Sequence, residues 1–290
     1  MRQEHQNHLF RLADGRALGY AEYGSPQGSP VLHFHSAGSS RLEHPVRDDD
    51  PRTTAVRLVV VDRPGHGLSS FQKQRTLLGW ARDVNQLADH LGLEQFAVTG
   101  WSSGGPYALA CAYALPERIS KAATMAGGAP LTYPGAFQGL PLPNRILAWS
   151  ARSVPWLVYQ QRRILGKIIT GEPSRALRLL TSPLPAVDQA FLEQAEVAEM
   201  ILRALREGYR QGTRGPAQDD VITRQGWGFE LREIRVRVDI WQGGQDLNVP
   251  RHAGEYLRAT LPTTRSFFRP EEGHFSLLKH WNEMLTSLLE

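Results

Sequence analysis

The sequence contains one cysteine, no long apolar run and no large excess of charge, and each absence excludes a class of protein. The single cysteine, Cys111, cannot form a disulfide within the chain, so an intracellular setting is permitted. No run of about 18 apolar residues is present, so the sequence predicts no membrane-spanning helix. The first residues, MRQEHQNHLF, lack the apolar centre of a secretory signal. We therefore expect a cytoplasmic protein without a membrane partner.

Charge and metal-ligand patterns are also weak. The formal net charge is +4, from 33 Lys and Arg against 29 Asp and Glu, and the basic residues are scattered among acidic ones. Nucleic-acid binding usually needs a concentrated basic stripe or a known motif, and neither is found, so we expect no nucleic-acid partner. Neither HExxH nor a paired CxxC occurs, so the sequence predicts no metal site, and we expect no cofactor.

The chain is long enough for one large α/β domain. It has 290 residues, of which 41% are hydrophobic and 21% charged, so a substantial core is possible. Apolar, β-branched runs alternate with segments of helical periodicity, which favours a parallel sheet with right-handed crossovers. The predicted strands are 30–35, 57–62, 96–99, 119–125, 234–241 and 265–268, after a hairpin at 10–23, and the predicted helices are 77–91, 104–114, 253–259 and 275–289.

The alternation is interrupted between residues 131 and 225. Prolines and large aromatic residues cluster first, and helical patterns follow at 175–180 and 187–209. We therefore predict a core formed by residues 1–130 and 226–290, with residues 131–225 inserted as a helical cap.

The stretch Gly100-Trp101-Ser102-Ser103-Gly104 matches G-x-S-x-G between a predicted strand and a predicted helix. In such a turn the central serine takes a strained conformation with its side chain exposed, and the glycines allow close backbone passage. The helix N-terminus beside the serine favours a developing anion. The pattern thus predicts Ser102 as a nucleophile. The alternative is a glycine turn whose serines only cap the helix.

A nucleophilic serine needs a base and an acid that orients the base. His274 lies in a loop after the last predicted strand, and Asp246 lies in a loop after the strand at 234–241. Taken singly, His274 could be a solvated loop residue and Asp246 an Asx-turn residue. With Ser102 they all follow strand ends, the edge at which open α/β sheets bind ligands. We predict that they act together.

An oxyanion formed by attack of Ser102 needs hydrogen-bond donors. One predicted donor is the backbone N–H of Ser103. The other is the backbone N–H of Ala37, in the loop His35-Ser36-Ala37-Gly38-Ser39-Ser40 after an early strand.

Five stretches resemble those of α/β-hydrolase-fold proteins, in particular capped serine esterases. They are HSAGSS from His35, DRPGHGLSS from Asp62, GWSSGGPYALACAYALPERI from Gly100, WQGGQDLNVP from Trp241 and EEGHFSLL from Glu271. The resemblance implies an eight-stranded, mostly parallel sheet with flanking helices, and the order Ser102, Asp246, His274 is the order of that family. The resemblance covers most of the chain outside residues 131–225, and that segment resembles no protein from which a substrate could be inferred.

Two positions depart from the family pattern. Ser36 replaces a usual glycine beside the oxyanion loop, where a side chain would either narrow the hole or add a donor, and glycine-specific geometry would be strained. His66 stands where an aromatic residue is usual, and packing or a pocket wall is its expected role. We predict that the substrate pocket is lined by His35, Ser36, Trp101, Trp149 and Trp156. Trp149 and Trp156 would either form an apolar ceiling or hold the cap in place.

The resemblance implies hydrolysis of an ester or lactone through an acyl-enzyme on Ser102, without a cofactor. A large aromatic cap favours a bulky, largely apolar substrate, and macrocyclic lactones such as macrolides are among those opened in the family. The alternatives are an acyltransferase or perhydrolase that uses the same residues, and a non-catalytic small-molecule receptor on the same fold. The sequence allows a monomer or a homodimer.

Overall fold

The computed structural model describes residues 7–44, 55–181 and 183–290. Within them, eight strands form one sheet in the order β1-β2-β4-β3-β5-β6-β7-β8. The strands are β1 (His8–Arg11), β2 (Ala17–Gly24), β3 (Ser29–Phe34), β4 (Val56–Val61), β5 (Phe96–Trp101), β6 (Ile119–Met125), β7 (Val238–Gly243) and β8 (Thr264–Arg269). The mostly parallel, eight-stranded sheet predicted from the sequence is confirmed.

The strand order brings the loops that follow β3 and β5 to neighbouring positions at one edge of the sheet. β1 and β2 form the predicted antiparallel hairpin, and β2 also pairs antiparallel with β4, whereas all later pairings are parallel. β3 lies between β4 and β5. The chain therefore runs from β3 to β4 on one side of it, and from β5 to β6 on the other. The loops after β3 and β5 therefore diverge at this point. In open α/β sheets such a switch point is the usual ligand site.

Helices cover both faces of the sheet. They are α1 (Leu77–His90), α2 (Gly105–Ala114), α9 (Arg251–Thr260) and α10 (Trp281–Leu289). The core on one face contains buried residues of α1, α2 and α9, and the core on the other contains those of α10. The Thr76 side chain caps α1 by accepting the Gly79 N–H. The central strands β3 to β6 are buried on both faces, which explains their continuous apolar runs.

Between β6 and β7, the described residues form six α-helices. They are α3 (Leu142–Ser153), α4 (Pro155–Thr170), α5 (Pro173–Thr181), α6 (Ala186–Leu192), α7 (Ala195–Gly208) and α8 (Arg214–Arg224). The sequence patterns indicated α5 and a single helix where α6 and α7 stand, and they missed α3, α4 and α8. The boundaries 131–225 of a separate cap stay a prediction. No helix of the described ranges is long and apolar enough to cross a membrane.

Two predicted elements begin later than expected. The strand predicted at 234–241 starts only at Val238; a 3₁₀ turn at Leu231–Glu233 and a short irregular stretch lie before it. The helix predicted at 275–289 is split into a 3₁₀ turn, Ser276–His280, and α10. Both differences lie at element ends, where a periodic apolar pattern continues through residues with another backbone conformation.

Candidate active site

Ser102 occupies the sharp turn between β5 and α2. Its φ is 55°, and among the described residues other than glycine only Ala126 also has a positive φ. Such a backbone conformation is costly for a residue with a side chain and persists only when the surroundings impose it. A 3₁₀ turn, Ser102–Gly104, continues directly into α2. The strained serine at the head of a helix matches the turn expected from G-x-S-x-G.

The two outer glycines of that motif are required by close backbone packing. A Cβ at Gly100 would overlap the Gly104 carbonyl oxygen, and a Cβ at Gly104 would overlap the Phe34 carbonyl oxygen. The loop that carries Ser102 therefore lies directly against the end of β3. This contact brings Ser102 next to the loop after β3.

His274 and Asp246 form a buried hydrogen-bonded pair. The His274 Nδ1 lies 2.8 Å from Oδ2 of Asp246, so Nδ1–H donates and Nε2 of the neutral ring is left as a proton acceptor. The other oxygen of Asp246 accepts the backbone N–H groups of Asn248 and Val249, both at 2.8 Å. These bonds fix the carboxylate, and the carboxylate fixes the orientation of the imidazole.

Two glycines permit close packing between the loop after β7, which carries Asp246, and the loop after β8, which carries His274 and is called the histidine loop below. A Cβ at Gly243 would lie 2.5 Å from the carbonyl oxygens of Glu272 and Gly273, and a Cβ at Gly244 would lie 2.5 Å from the Pro270 carbonyl oxygen. The Gly-Gly pair thus permits a backbone contact that a larger residue would prevent. The contact explains how residues 28 positions apart come within hydrogen-bond distance.

The electrostatic surroundings of His274 favour its charged form. Burial alone would lower the pKa of His274, but the charge and hydrogen bond of Asp246 outweigh burial, with help from the charges of Asp188 and Glu43. The pKa of His274 is therefore raised above its ordinary value. A raised pKa strengthens the imidazole as a proton acceptor.

Asp188, on α6, holds the backbone of the histidine loop. Its carboxylate accepts three consecutive N–H groups, from His274 at 2.8 Å, Phe275 at 2.9 Å and Ser276 at 2.8 Å. The side chain is fully buried. A helix between β6 and β7 thus positions a loop that follows the last strand.

The peptide between Ser36 and Ala37 is held by two donors on its carbonyl oxygen. Nδ1–H of His35 donates to it at 2.9 Å and Nη2–H of Arg63 at 3.1 Å. Nε2 of His35 accepts the Arg63 backbone N–H at 3.2 Å, so one neutral tautomer satisfies both ring bonds. The N–H of Ala37 lies on the opposite side of this planar peptide from the bonded oxygen. Its role as an oxyanion donor stays a prediction.

Ser36 turns its side chain away from that peptide group. Both its hydroxyl and its backbone N–H donate to the carboxylate of Glu43, which is buried. Ser36 does not have a positive φ. Among residues other than glycine in the described ranges, only Ser102 and Ala126 have one. The expected strain from replacing glycine at this position is therefore absent.

Arg63 connects the loop after β3 with α8. Its Nη1 donates to the His35 carbonyl oxygen, its Nη2 lies 3.3 Å from Oγ of Ser103, and its Nε lies 2.7 Å from Asp219 on α8. Asp219 also accepts from Tyr107 Oη at 2.7 Å and pairs with Arg75. Burial would raise the pKa of Asp219, but the two arginines hold it well below its usual range. The carboxylate is thus a permanent anion.

The buried histidines near this network stay neutral. Burial, followed by the charges of Arg63 and the neighbouring His66, lowers the pKa of His35 well below its usual value. Burial also lowers the pKa of His66 to about 3, against an opposing effect of Asp219. The rings of His35 and His66 lie 4.9 Å apart, and both are fully buried. The expected packing role of His66 is consistent with this position.

One cavity of about 680 Å³ contains the serine and the histidine. Ser36, Ala37, Trp101, Ser102, Ser103 and His274 line it. Most of the remaining wall is apolar and comes from the segment between β6 and β7, including Leu131, Leu140, Leu147, Leu165, Ile201 and Leu205. Polar groups in the wall include Glu43, Asn144, Arg162, Arg224 and Asn248. The cavity has the size and composition of a small-molecule site.

Three of the predicted pocket residues lie elsewhere. His35 is buried behind the oxyanion loop, and Trp149 and Trp156 are mostly exposed to solvent, so none of them is part of the cavity wall formed by the described residues. Trp101 does line the cavity, and its ring packs against the His274 ring with centroids 5.7 Å apart. Aromatic clustering in the sequence could not distinguish inward-facing from outward-facing tryptophans.

Four functional neighbours escaped sequence reasoning: Glu43, Arg63, Asp188 and Asp219. Only Arg63 lies in a stretch that the family resemblance had singled out. Asp188 and Asp219 have partners 86 and 156 positions away, and Glu43, although only seven positions from Ser36, belongs to no motif that the sequence shows. In the described ranges, no group of three or more His, Cys, Asp or Glu side chains is arranged to hold a metal ion.

Comparisons with known proteins show the family to which the chain belongs. The family model described as alpha/beta hydrolase fold matches residues 36–280. The 2-hydroxy-6-oxononadienedioate/2-hydroxy-6-oxononatrienedioate hydrolase of Paraburkholderia phymatum is 27% identical over 269 residues, 89% of this chain and 85% of that protein. The chain belongs to the α/β-hydrolase-fold family.

Two solved structures share the fold. A hydrolase from Pseudomonas aeruginosa superposes with a TM-score of 0.72 at 22% identity and covers 98% of both chains. The enol-lactonase from Burkholderia xenovorans superposes with a TM-score of 0.67 at 19% identity, over 97% of this chain and 99% of that one.

Proposed function

We propose that this protein is a serine hydrolase that cleaves a carboxylic ester or lactone of a bulky, largely apolar molecule. The observation that carries the proposal is the strained Ser102 at the head of α2, in the same cavity as His274, whose imidazole is bonded to Asp246 at 2.8 Å. These are the three groups that acyl transfer to serine requires.

In the proposed mechanism, Ser102 Oγ attacks the acyl carbonyl carbon while Nε2 of His274 takes the hydroxyl proton. Asp246 keeps the proton on Nδ1 and stabilises the imidazolium. The backbone N–H groups of Ala37 and Ser103 bind the oxyanion. The alcohol leaves with the proton from His274, and a water activated by the same imidazole then hydrolyses the acyl-enzyme.

The proposed substrate class follows from the cavity wall. Apolar side chains dominate it, and its volume of about 680 Å³ suits a drug-sized molecule rather than a short-chain ester. The enol-lactonase that shares the fold acts on a lactone, by its name. A macrocyclic lactone is one member of the proposed class.

A second candidate is hydrolysis of a carbon–carbon bond in a ring-cleavage product. The relative from Paraburkholderia phymatum is named for a dioate substrate, and Arg162 and Arg224 in the cavity wall could face a carboxylate. Asp220 pairs with both arginines, so the group of three keeps one positive charge. The same serine and histidine would serve this reaction.

The first test is intact mass after treatment with a fluorophosphonate probe, with Ser102→Ala as the matched control. One adduct on the wild-type protein and none on the variant supports an activated Ser102. Absence of an adduct on folded wild-type protein would contradict the proposal and favour a receptor.

Turnover then separates the reactions. Wild-type protein is assayed with aryl esters, macrocyclic lactones and a ring-cleavage dienoate, each with and without hydroxylamine. Hydrolysis of esters or lactones supports the first proposal, turnover of the dienoate alone supports the second, and a dominant hydroxamate product indicates acyl transfer.

A further inference from the structure

The outer sides of α3 and α4 carry a set of uncovered apolar side chains. We call this set the α3–α4 face; its members are Leu142, Ile146, Trp149, Trp156 and Ile164, which are 68%, 44%, 53%, 65% and 66% exposed. The α3 members are spaced by four and three residues and the α4 members by eight, so each group lies on one side of its helix. Exposed apolar sets of this kind mark interaction sites.

The opposite sides of the two helices are covered. Ala151 of α3 and Val158 of α4 pack with Ala217 of α8 in one buried cluster. The α3–α4 face therefore lies on the sides of the two helices away from this cluster.

The charges on these two helices are all basic. Arg145, Arg152, Arg163 and Lys167 are exposed, and no Asp or Glu occurs between Glu117 and Glu172. A second copy of the same face would be repelled by like charge, which disfavours a symmetric dimer through this surface. An anionic partner with an apolar layer complements both features.

The face is continuous with the cavity that contains Ser102. Leu142 and Ile146 belong to the exposed face and also line the cavity. An apolar molecule could therefore pass from a surface in contact with α3 to the cavity without crossing a polar rim at these positions.

We propose that the α3–α4 face docks on the surface of an anionic phospholipid membrane. Tryptophan side chains favour the boundary between headgroups and acyl chains, and clustered Lys and Arg are attracted to anionic headgroups. The expectation of no membrane partner was based on the absence of an apolar run long enough to span a membrane. A helix that lies in the interface needs only one apolar side and a basic polar side.

Tryptophan fluorescence tests the contact directly. Five of the seven tryptophans, at positions 80, 101, 227, 241 and 281, are at most 5% exposed, so only Trp149 and Trp156 can meet lipid. We expect brominated phosphatidylglycerol vesicles to quench the wild-type emission, brominated phosphatidylcholine vesicles to quench it much less, and added salt to reverse the effect. The quenching should vanish in Trp149→Phe/Trp156→Phe.

Co-sedimentation with phosphatidylglycerol vesicles tests the charge. Arg163→Glu/Lys167→Glu should reduce binding by about tenfold or more. The matched control is Arg232→Glu/Arg235→Glu, the same charge change at exposed residues before β7, which should bind like the wild type. The thermal midpoint of each variant verifies folding independently of any enzymatic activity.

Two results would overturn the proposal. One is absence of vesicle binding at low salt, or equal binding by Arg163→Glu/Lys167→Glu and its control Arg232→Glu/Arg235→Glu. The other is a dimer in sedimentation velocity that Trp156→Ser dissociates, since a second copy would then cover the face.

Discussion

At the scale of single residues, the site depends on positions where a side chain must be absent. Gly104 is the clearest case, because its Cα faces the carbonyl oxygen at the end of β3. Gly104→Ala should lower the free energy of unfolding by roughly 1–3 kcal/mol, the usual cost of overpacking, and should also slow adduct formation at Ser102. Urea unfolding and the rate of fluorophosphonate labelling measure the two effects.

The matched control for that change is Gly226→Ala. A Cβ at Gly226 meets nothing within 4 Å, and its φ is not in the left-handed region. We expect unchanged labelling in this variant. Equal losses in both variants would show that the close contact of Gly104 has no special importance.

The protonation state of His274 sets a second residue-scale expectation. The proposed base must be neutral, and its pKa lies above the ordinary value of 6.5, because Asp246, Asp188 and Glu43 outweigh burial. Activity should therefore fall as the pH drops through a midpoint above 6.5. The acid limb of kcat/KM for any hydrolysed ester measures that midpoint.

Asp246→Asn provides the check on this assignment. It removes the strongest of the charges that raise the pKa of His274, so the acid limb should move to lower pH while the rate falls. An acid limb that lies below 6.5 in the wild type, or one that Asp246→Asn leaves in place, would contradict the role of the pair.

At the scale of elements, α6 positions the histidine loop through one carboxylate. Asp188→Asn keeps an acceptor but loses the charge and adds an N–H₂ group that meets the three backbone donors. We expect kcat to fall on the order of 10- to 100-fold with little change in KM, because the imidazole is displaced while the substrate cavity is kept. The acid limb of the pH profile should also move down.

The control for Asp188→Asn is Glu193→Gln, at the exposed end of the same helix. It removes one negative charge from α6 without touching the histidine loop and should leave the rate and the pH profile unchanged. A purely structural role for Asp188 would lower the thermal midpoint but leave the acid limb in place.

The comparison of sequence and structure also belongs to this scale. The β-branched runs of β3 to β6 and the glycine turns after them are local signals, so their strands and the order of Ser102, Asp246 and His274 were predictable. The helices α3 and α4 begin near prolines in a segment that reads as a loop, so they were missed. Contacts such as Asp188 with the histidine loop join residues 86 to 88 positions apart, and no local pattern encodes them.

At the scale of the whole molecule, buried charge joins the helices between β6 and β7 to the sheet. Asp219 of α8 neutralises part of the charge of Arg63 and Arg75, which belong to loops of the sheet. Removal of one member of such a buried group is expected to cost about 3–5 kcal/mol, because the partners keep an uncompensated charge. The position of α8 and the oxyanion loop are thus linked through Arg63.

The same buried groups make stability depend on pH. Burial lowers the pKa of His33, His35 and His66 in the folded protein, whereas in the unfolded chain each takes up a proton below about 6.5. Their contribution to stability is therefore present above 6.5 and lost as the pH falls. Asp62 acts in the opposite sense, since burial raises its pKa to about 6. His274, with a raised pKa, changes stability only above 6.5.

We therefore expect the free energy of unfolding to decrease between about pH 6.5 and pH 4. His66, whose pKa is lowered to about 3, contributes about 1.4 kcal/mol per pH unit in this range, the lowered pKa values of His33 and His35 add to the decrease, and Asp62 offsets part of it below about pH 6. Urea unfolding at several pH values measures the slope. His66→Phe removes one titrating ring from the core and should reduce the slope by about 1.4 kcal/mol per pH unit. A free energy that stays constant over this range would show that these histidines are protonated in the folded protein, and the neutral ring of His35 would no longer explain how the peptide of Ala37 is held.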